Sequence, residues 1–230
     1  MAEQHPRHRA PHRDDFPGEG AARGTARLEA FADAVFAIAF TLPIVEIKVP
    51  HGDEPLTAQL AELWPSYLAY AISSLVIGIY WIQHHFSGAI YRTSGHWFNV
   101  ATVLFLTAIG FIDFPARAFA EHLPDPDGRG PAAIFFVAGL ALTGVTWWIK
   151  WKVGRSRGHV DARLEPHYVD CLNRRYNVST VLLIVAAALA LIRWEVGLAL
   201  ASAVTLFYLL APPTPVYTEE APIVEGEESA

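Results

Sequence analysis

The sequence predicts an all-α membrane protein whose subunit crosses the bilayer six times. Three observations predict it. Of 230 residues, 53% are hydrophobic and only 17% charged, where soluble domains carry about 25% charged residues. The apolar residues are bunched into runs of bilayer length. The Lys and Arg residues are sorted to alternate loops. A single cysteine, Cys171, excludes an intramolecular disulfide framework. The formal net charge of −6 conceals this segregation of sign. Residues 1–24 are polar, rich in Pro, Gly, His and charge, and lack the apolar core of a secretory signal. They read as a disordered cytoplasmic tail.

A helix needs about 20 residues to cross the bilayer core. The first run extends from Glu29 to Val49. The second extends from Leu63 to about Gln83 and opens with Trp64-Pro65, Pro being tolerated in a first helical turn. The third covers Trp97 to about Phe119, and the fourth Pro131 to Trp151. The last stretch, Val178 to Ala211, is interrupted by Arg193-Trp194-Glu195. It reads as two short crossings joined by a tight hairpin, with one long broken helix as the alternative. Residues 25–211 thus form the membrane domain, with 152–177 as its one sizeable cytoplasmic loop. Residues 212–230, which carry three early prolines and then Glu219, Glu220, Glu225, Glu227 and Glu228, read as a disordered acidic tail.

Orientation follows from the loop cations, which stay on the cytoplasmic side. Thirteen of the 17 basic residues lie in the N-terminal segment, the second loop and the fourth loop. Both termini are therefore expected in the cytoplasm, which requires an even number of crossings. Trp147, Trp148 and Trp151, beside Lys150 and Lys152, read as an interfacial anchor.

The segment RLEAFADAVFAIAFTLPIVEIKVP, Arg27 to Pro50, is the richest in polar detail. At about 100° per residue, Ile38, Thr41, Leu42 and Val45 share one face, which Phe31 and Ala34 extend downwards. Asp33 points to nearly the opposite side. A carboxylate at membrane depth costs a few kcal/mol unless it meets protein or water, so Asp33 is expected to be buried with a partner. The apolar ladder alone fits packing against a neighbouring helix better than a pore lining. Thr41 has an equally plain use, bonding its own backbone a turn earlier. Pro43 removes the hydrogen bond to the Ala39 carbonyl and is expected to kink the helix.

The same segment resembles the first-helix signature of the lysosomal potassium channel family, transmembrane protein 175, and its prokaryotic members above all. That signature runs Arg-x-x-x-Phe-Ser-Asp, Val-x-Ala-Ile-x-x-Thr and Leu-Glu-x-Lys-Val-Pro. It is matched at Arg27, Phe31, Asp33, Val35, Ala37, Ile38, Thr41, Glu46, Lys48, Val49 and Pro50. YWIQHHF, Tyr80 to Phe86, and Trp97 with Asn99 resemble the family's second and third helices.

The resemblance implies a six-helix subunit assembled as a homotetramer in the cell membrane, with four first helices lining a central pore that conducts potassium ions. It implies no P-loop filter, no cofactor, no metal and no nucleic-acid partner. The narrowest ring would map to Ile38, a hydroxyl layer to Thr41, and further lining to Leu42 and Val45. Arg27, Phe31 and Asp33 would join a structural network with Trp81 and His84 or His85. Ala32 stands where Ser is usual, Pro43 where Leu is common, and Asp113 where the family has an apolar residue or Pro. Near an outer mouth, Asp113 would concentrate cations. His84 and His85 are adjacent, face different sides and cannot clamp one metal. A secondary transporter is the competing class; its paired broken helices are not evident in the sequence. No enzyme motif appears.

Overall fold

The computed structural model describes residues 24–218, so the expected tails, 1–24 and 212–230, lie outside them apart from residue 24 and residues 212–218. Eight helices carry the described chain: α1 Ala26–Val45, α2 Leu56–Glu62, α3 Trp64–Ser87, α4 His96–Phe111, α5 Asp113–His122, α6 Arg129–Ser156, α7 Pro166–Ala190 and α8 Trp194–Phe207. No strand forms among the described residues beyond two isolated bridges, Tyr91 with Val160 and Leu164 with Tyr217. Four stretches are long and apolar enough to cross a membrane: α1, α3, α4 with α5, and α6.

Several boundaries differ from expectation for local physical reasons. The first helix ends at Val45, so Glu46, Lys48 and Val49 follow it rather than complete it. Pro43 sits inside the helix and is buried. The third apolar run breaks at Ile112 into α4 and α5. Pro115 has no N–H to offer the Phe111 carbonyl. The chain tightens there, with the Ile112 N–H donating to the Ile109 carbonyl. The short α2 carries no membrane-length apolar run and was not signalled.

The expected loop over 152–177 contracts to 157–165, because α6 continues to Ser156 and α7 already begins at Pro166. Gly158 ends α6 at φ +71°, a conformation that favours glycine. The His159 N–H then closes back on the Gly154 carbonyl at 2.9 Å, as in a Schellman cap. The break at Arg193 is real: α7 and α8 form an antiparallel hairpin joined by residues 191–193.

The core lies around α6, which packs on α4, α5, α7 and α8, while α1 packs on α3 and α4. A run of rings fills it: Phe36 meets Phe105 at 6.1 Å, Phe105 meets Trp147 at 5.1 Å and Trp147 meets Tyr176 at 5.8 Å. Two glycines permit close helix approach. A Cβ at Gly144 would collide with Leu183, and one at Gly197 with the Ala186 carbonyl and Ala190.

One end of the bundle is tied by its loops. The Arg92 N–H donates to the His159 carbonyl and the Asp161 N–H to that of Ile90. The Tyr217 hydroxyl donates to the Ala89 carbonyl at 2.9 Å, and the Ser94 hydroxyl reaches the Gly24 carbonyl at 3.5 Å. Residues 213–218, read from composition as part of a tail, therefore run back along this end. There Arg163 grips Asp161 at 2.7 Å, which holds the Asp161 carboxyl below its ordinary range.

Candidate pore face and its supporting network

Helix α1 is sorted into two faces. Ala32, Phe36, Ala39 and Pro43 are buried, repeating at three- and four-residue spacing as a packing stripe does. The ladder is not. Ile38 is 57% exposed, Leu42 55% and Val45 70%, and Thr41 is exposed too. Nothing in the described chain covers these side chains. The helix is 20 residues long, about 30 Å at 1.5 Å per residue, which matches the bilayer core.

The Thr41 hydroxyl donates to the carbonyls of Ala37 at 2.9 Å and Ile38 at 3.1 Å. This is the plain backbone use expected of a mid-helix Thr, and it has a chemical consequence. With its hydrogen engaged, the oxygen has lone pairs to turn outward. That is what a cation requires of a hydroxyl.

Asp33 lies between the packing stripe and the ladder, and it is exposed rather than buried. It does have a partner: the Trp81 indole N–H donates to Oδ1 at 3.2 Å. Trp81 in turn stacks on His85, with ring centroids 5.8 Å apart. So Asp33, Trp81 and His85 form one chain of contacts from α1 to α3. Arg27 and Phe31 stand exposed at the start of α1 and show no bond to it. A cleft between α1 and α3 is lined by Asp33, Thr41, Gly78 and Trp81 among others. On the other flank, Ile38, Leu42, Glu46 and Asp113 line a second cleft. Asp113 is already engaged by Arg117 at 3.3 Å, so its charge is largely offset and its pull on cations is weaker than the sequence suggested.

His84 takes a different partner from His85. It is buried, and its Nδ1 lies 2.9 Å from the Lys150 Nζ. Lys150 is 2% exposed, not the interfacial anchor that its Trp neighbours suggested. Its ammonium lies 4.8 Å from the Trp147 ring centre and within 6 Å of Tyr91, Phe98 and Phe105. Ring faces attract a cation by their quadrupole, and this cage replaces part of the lost hydration. The other ring nitrogen of His84, Nε2, is buried with no partner. Glu29 at the start of α1 lines the same small cavity as Lys150 and His84. No sequence motif marked Lys150, because its cage is assembled from α4, α6 and the loop after α3. Among the described residues, no group of three or more His, Cys, Asp or Glu is placed to hold a metal ion.

Comparison with known proteins gives this geometry a setting. The family profile described as endosomal/lysosomal potassium channel TMEM175 matches residues 27–112, the part that holds α1, α3 and α4. A potassium channel of Chamaesiphon minutus is 32% identical over 191 residues, covering 81% of this chain and 94% of that relative. A potassium channel of Streptomyces collinus is 31% identical over 200 residues, covering 86% and 97%. The crystal structure of a lysosomal potassium-selective channel TMEM175 homolog from Chamaesiphon minutus superposes with a TM-score of 0.69 at 30% identity. It covers 83% of this chain and 98% of that one. Two near-full-length relatives above 30% identity, with the matching fold, show that the chain belongs to the TMEM175 family of ion channels.

Proposed function

We propose that the chain is the subunit of a potassium channel, four copies of which bring their α1 helices together around a pore. The observation that carries this reading is the bare ladder of Ile38, Thr41, Leu42 and Val45 on a membrane-length helix. The similarity to two named potassium channels along nearly their whole length supports it.

The six crossings of this reading are α1, α3, α4 with α5, α6, α7 and α8. Their even number is supported by the meeting of Gly24 and Tyr217 with the same loop, 88–95, at one end of the bundle. The cations of the loops make that end cytoplasmic, in the cell membrane. Four Ile38 side chains form the narrowest ring and close it by dewetting. Thr41 oxygens one turn further out replace part of the potassium ion's water. A smaller, more strongly hydrated ion loses more on entry. Asp33, Trp81 and His85 hold α1 at a fixed rotation against α3, so that the ladder faces the axis.

A flux assay on purified protein in vesicles under opposed potassium and sodium gradients tests the reading. The expected result is a potassium-selective diffusive leak that Thr41→Ala makes less selective. Saturable flux at fixed coupling stoichiometry would identify a transporter instead. An unaltered reversal potential in Thr41→Ala would remove Thr41 from the filter.

A further inference from the structure

The groove between α7 and α8 is outside the proposed pore and carries its own chemistry. Its volume is about 950 Å³, large for a single ion. Along α7 it is lined in turn by His167, Arg174 and Arg175, then by Val178 and Leu182; Leu200 and Val204 complete the apolar wall from α8. From Arg175 to Leu182 the helix rises about 10 Å. The lining thus passes from cationic at the loop end to wholly apolar within about a third of a bilayer core.

Arg174 is exposed in this lining. Asp170, the carboxylate in this lining, is already bonded to Arg155 at 3.1 Å. The Arg175 guanidinium lies 4.9 Å from the Phe207 ring centre and 4.8 Å from that of Tyr208. Its Nε and Nη2 are buried without a hydrogen-bond partner. Those two nitrogens are closed off from the groove, so an anionic oxygen there would be met by the exposed Arg174 and by the rest of the Arg175 guanidinium. The groove also lies away from the ladder, since α7 and α8 pack on α6 while α1 packs on α3 and α4.

We propose that this groove binds one anionic phospholipid. Its phosphate sits against Arg174 and Arg175, and one acyl chain lies along Val178, Leu182, Leu200 and Val204. Basic pockets between helices on the cytoplasmic side suit such headgroups. A free phosphate would satisfy the arginines but leave the apolar wall empty. The inference rests on the reading that α7 and α8 cross the membrane. It is read out by binding and not by conductance, so its failure leaves the channel reading intact.

Native mass spectrometry of the full-length protein, loaded with palmitoyl-oleoyl-phosphatidylglycerol or the matching phosphatidylcholine, tests it. Phosphatidylglycerol is expected to stay bound and phosphatidylcholine to leave. Replacing both Arg174→Gln and Arg175→Gln should lower phosphatidylglycerol occupancy about tenfold. Ala203→Trp, at an exposed position in the apolar wall, should lower it similarly with every charge in place. That variant decides the matter even where the double replacement disturbs packing on Phe207 and Tyr208. Equal retention of the two lipids would overturn the proposal, as would full occupancy in Ala203→Trp. Displacement of the lipid by inorganic phosphate would also overturn it, identifying a phosphate site.

Discussion

Helices α1 and α6 are both apolar and long enough to cross a membrane, yet only 22% of the apolar stretch of α1 is buried, against 61% of that of α6. Hydrophobicity does not separate them. What separates them is where the apolar side chains go. Helix α6 spends them on four neighbouring helices of the same chain, and even its Lys150 turns inward. Helix α1 spends one narrow stripe on its own subunit and leaves the rest bare. In a bilayer, apolar exposure by itself costs nothing, because lipid tails are as apolar as Leu. The informative feature of α1 is therefore the oxygen among the bare apolar residues, Thr41, together with the hydrogen bond that ties Asp33 to Trp81 of α3.

This contrast can be broken from either side. The largest effect is expected at Ile38→Asn, where a polar ring lets water wet the constriction. Cation leak in reconstituted vesicles should rise by roughly tenfold or more, since each 1.36 kcal/mol removed from a barrier is tenfold in rate; unchanged flux would remove Ile38 from the gate. Next comes stability. Gly144→Leu in α6 must displace Leu183 and should destabilise the subunit by about 1–3 kcal/mol, read as a lower melting temperature in detergent. Ala34→Leu, at an exposed position of α1, should change it by less than about 0.5 kcal/mol. Equal losses would mean that the two helices are buried alike.

An effect smaller than that of Gly144→Leu is expected at the loop end, where Arg163 holds Asp161 deprotonated. A carboxyl whose pKa is lowered by folding contributes stability above its unfolded value, near 3.8. It loses that contribution as pH falls through the lower folded value. Asp161→Asn should therefore remove an acid-side loss of stability of less than about 1 kcal/mol and leave the melting temperature unchanged only once the pH lies below the lowered folded value. A variant whose acid unfolding matches the parent's would show that this pair is not responsible.

Much of the fold was legible in the chain, for identifiable reasons. Apolar run length located α1, α3 and α6, and the Arg193-Trp194-Glu195 interruption located the hairpin turn between α7 and α8. The break at Ile112 was written at Pro115 but masked by the apolarity around it. The loop over 157–165 looked longer than it is because Arg174 and Arg175 carry charge into α7, where run length hides the helix. At the site, the period of 3.6 separated the ladder from Asp33. It did not show that Asp33 would be exposed beside Trp81, nor that the face opposite the ladder would be Ala32, Phe36, Ala39 and Pro43. Lys150 was misread because a lysine among tryptophans at a helix end has the composition of an anchor. Only the arrival of Tyr91, Phe98 and Phe105 from elsewhere in the chain turns it into a caged cation.

The central claim is that the bare face of α1 looks onto a water-filled path and not onto lipid. Val45→Cys in a Cys171→Ser background places one thiol at the most exposed position of the ladder. A cationic methanethiosulfonate reagent added to vesicles during potassium flux should reach that thiol and halt the flux. Modification that leaves the flux unchanged, or a thiol the reagent never reaches, would contradict it.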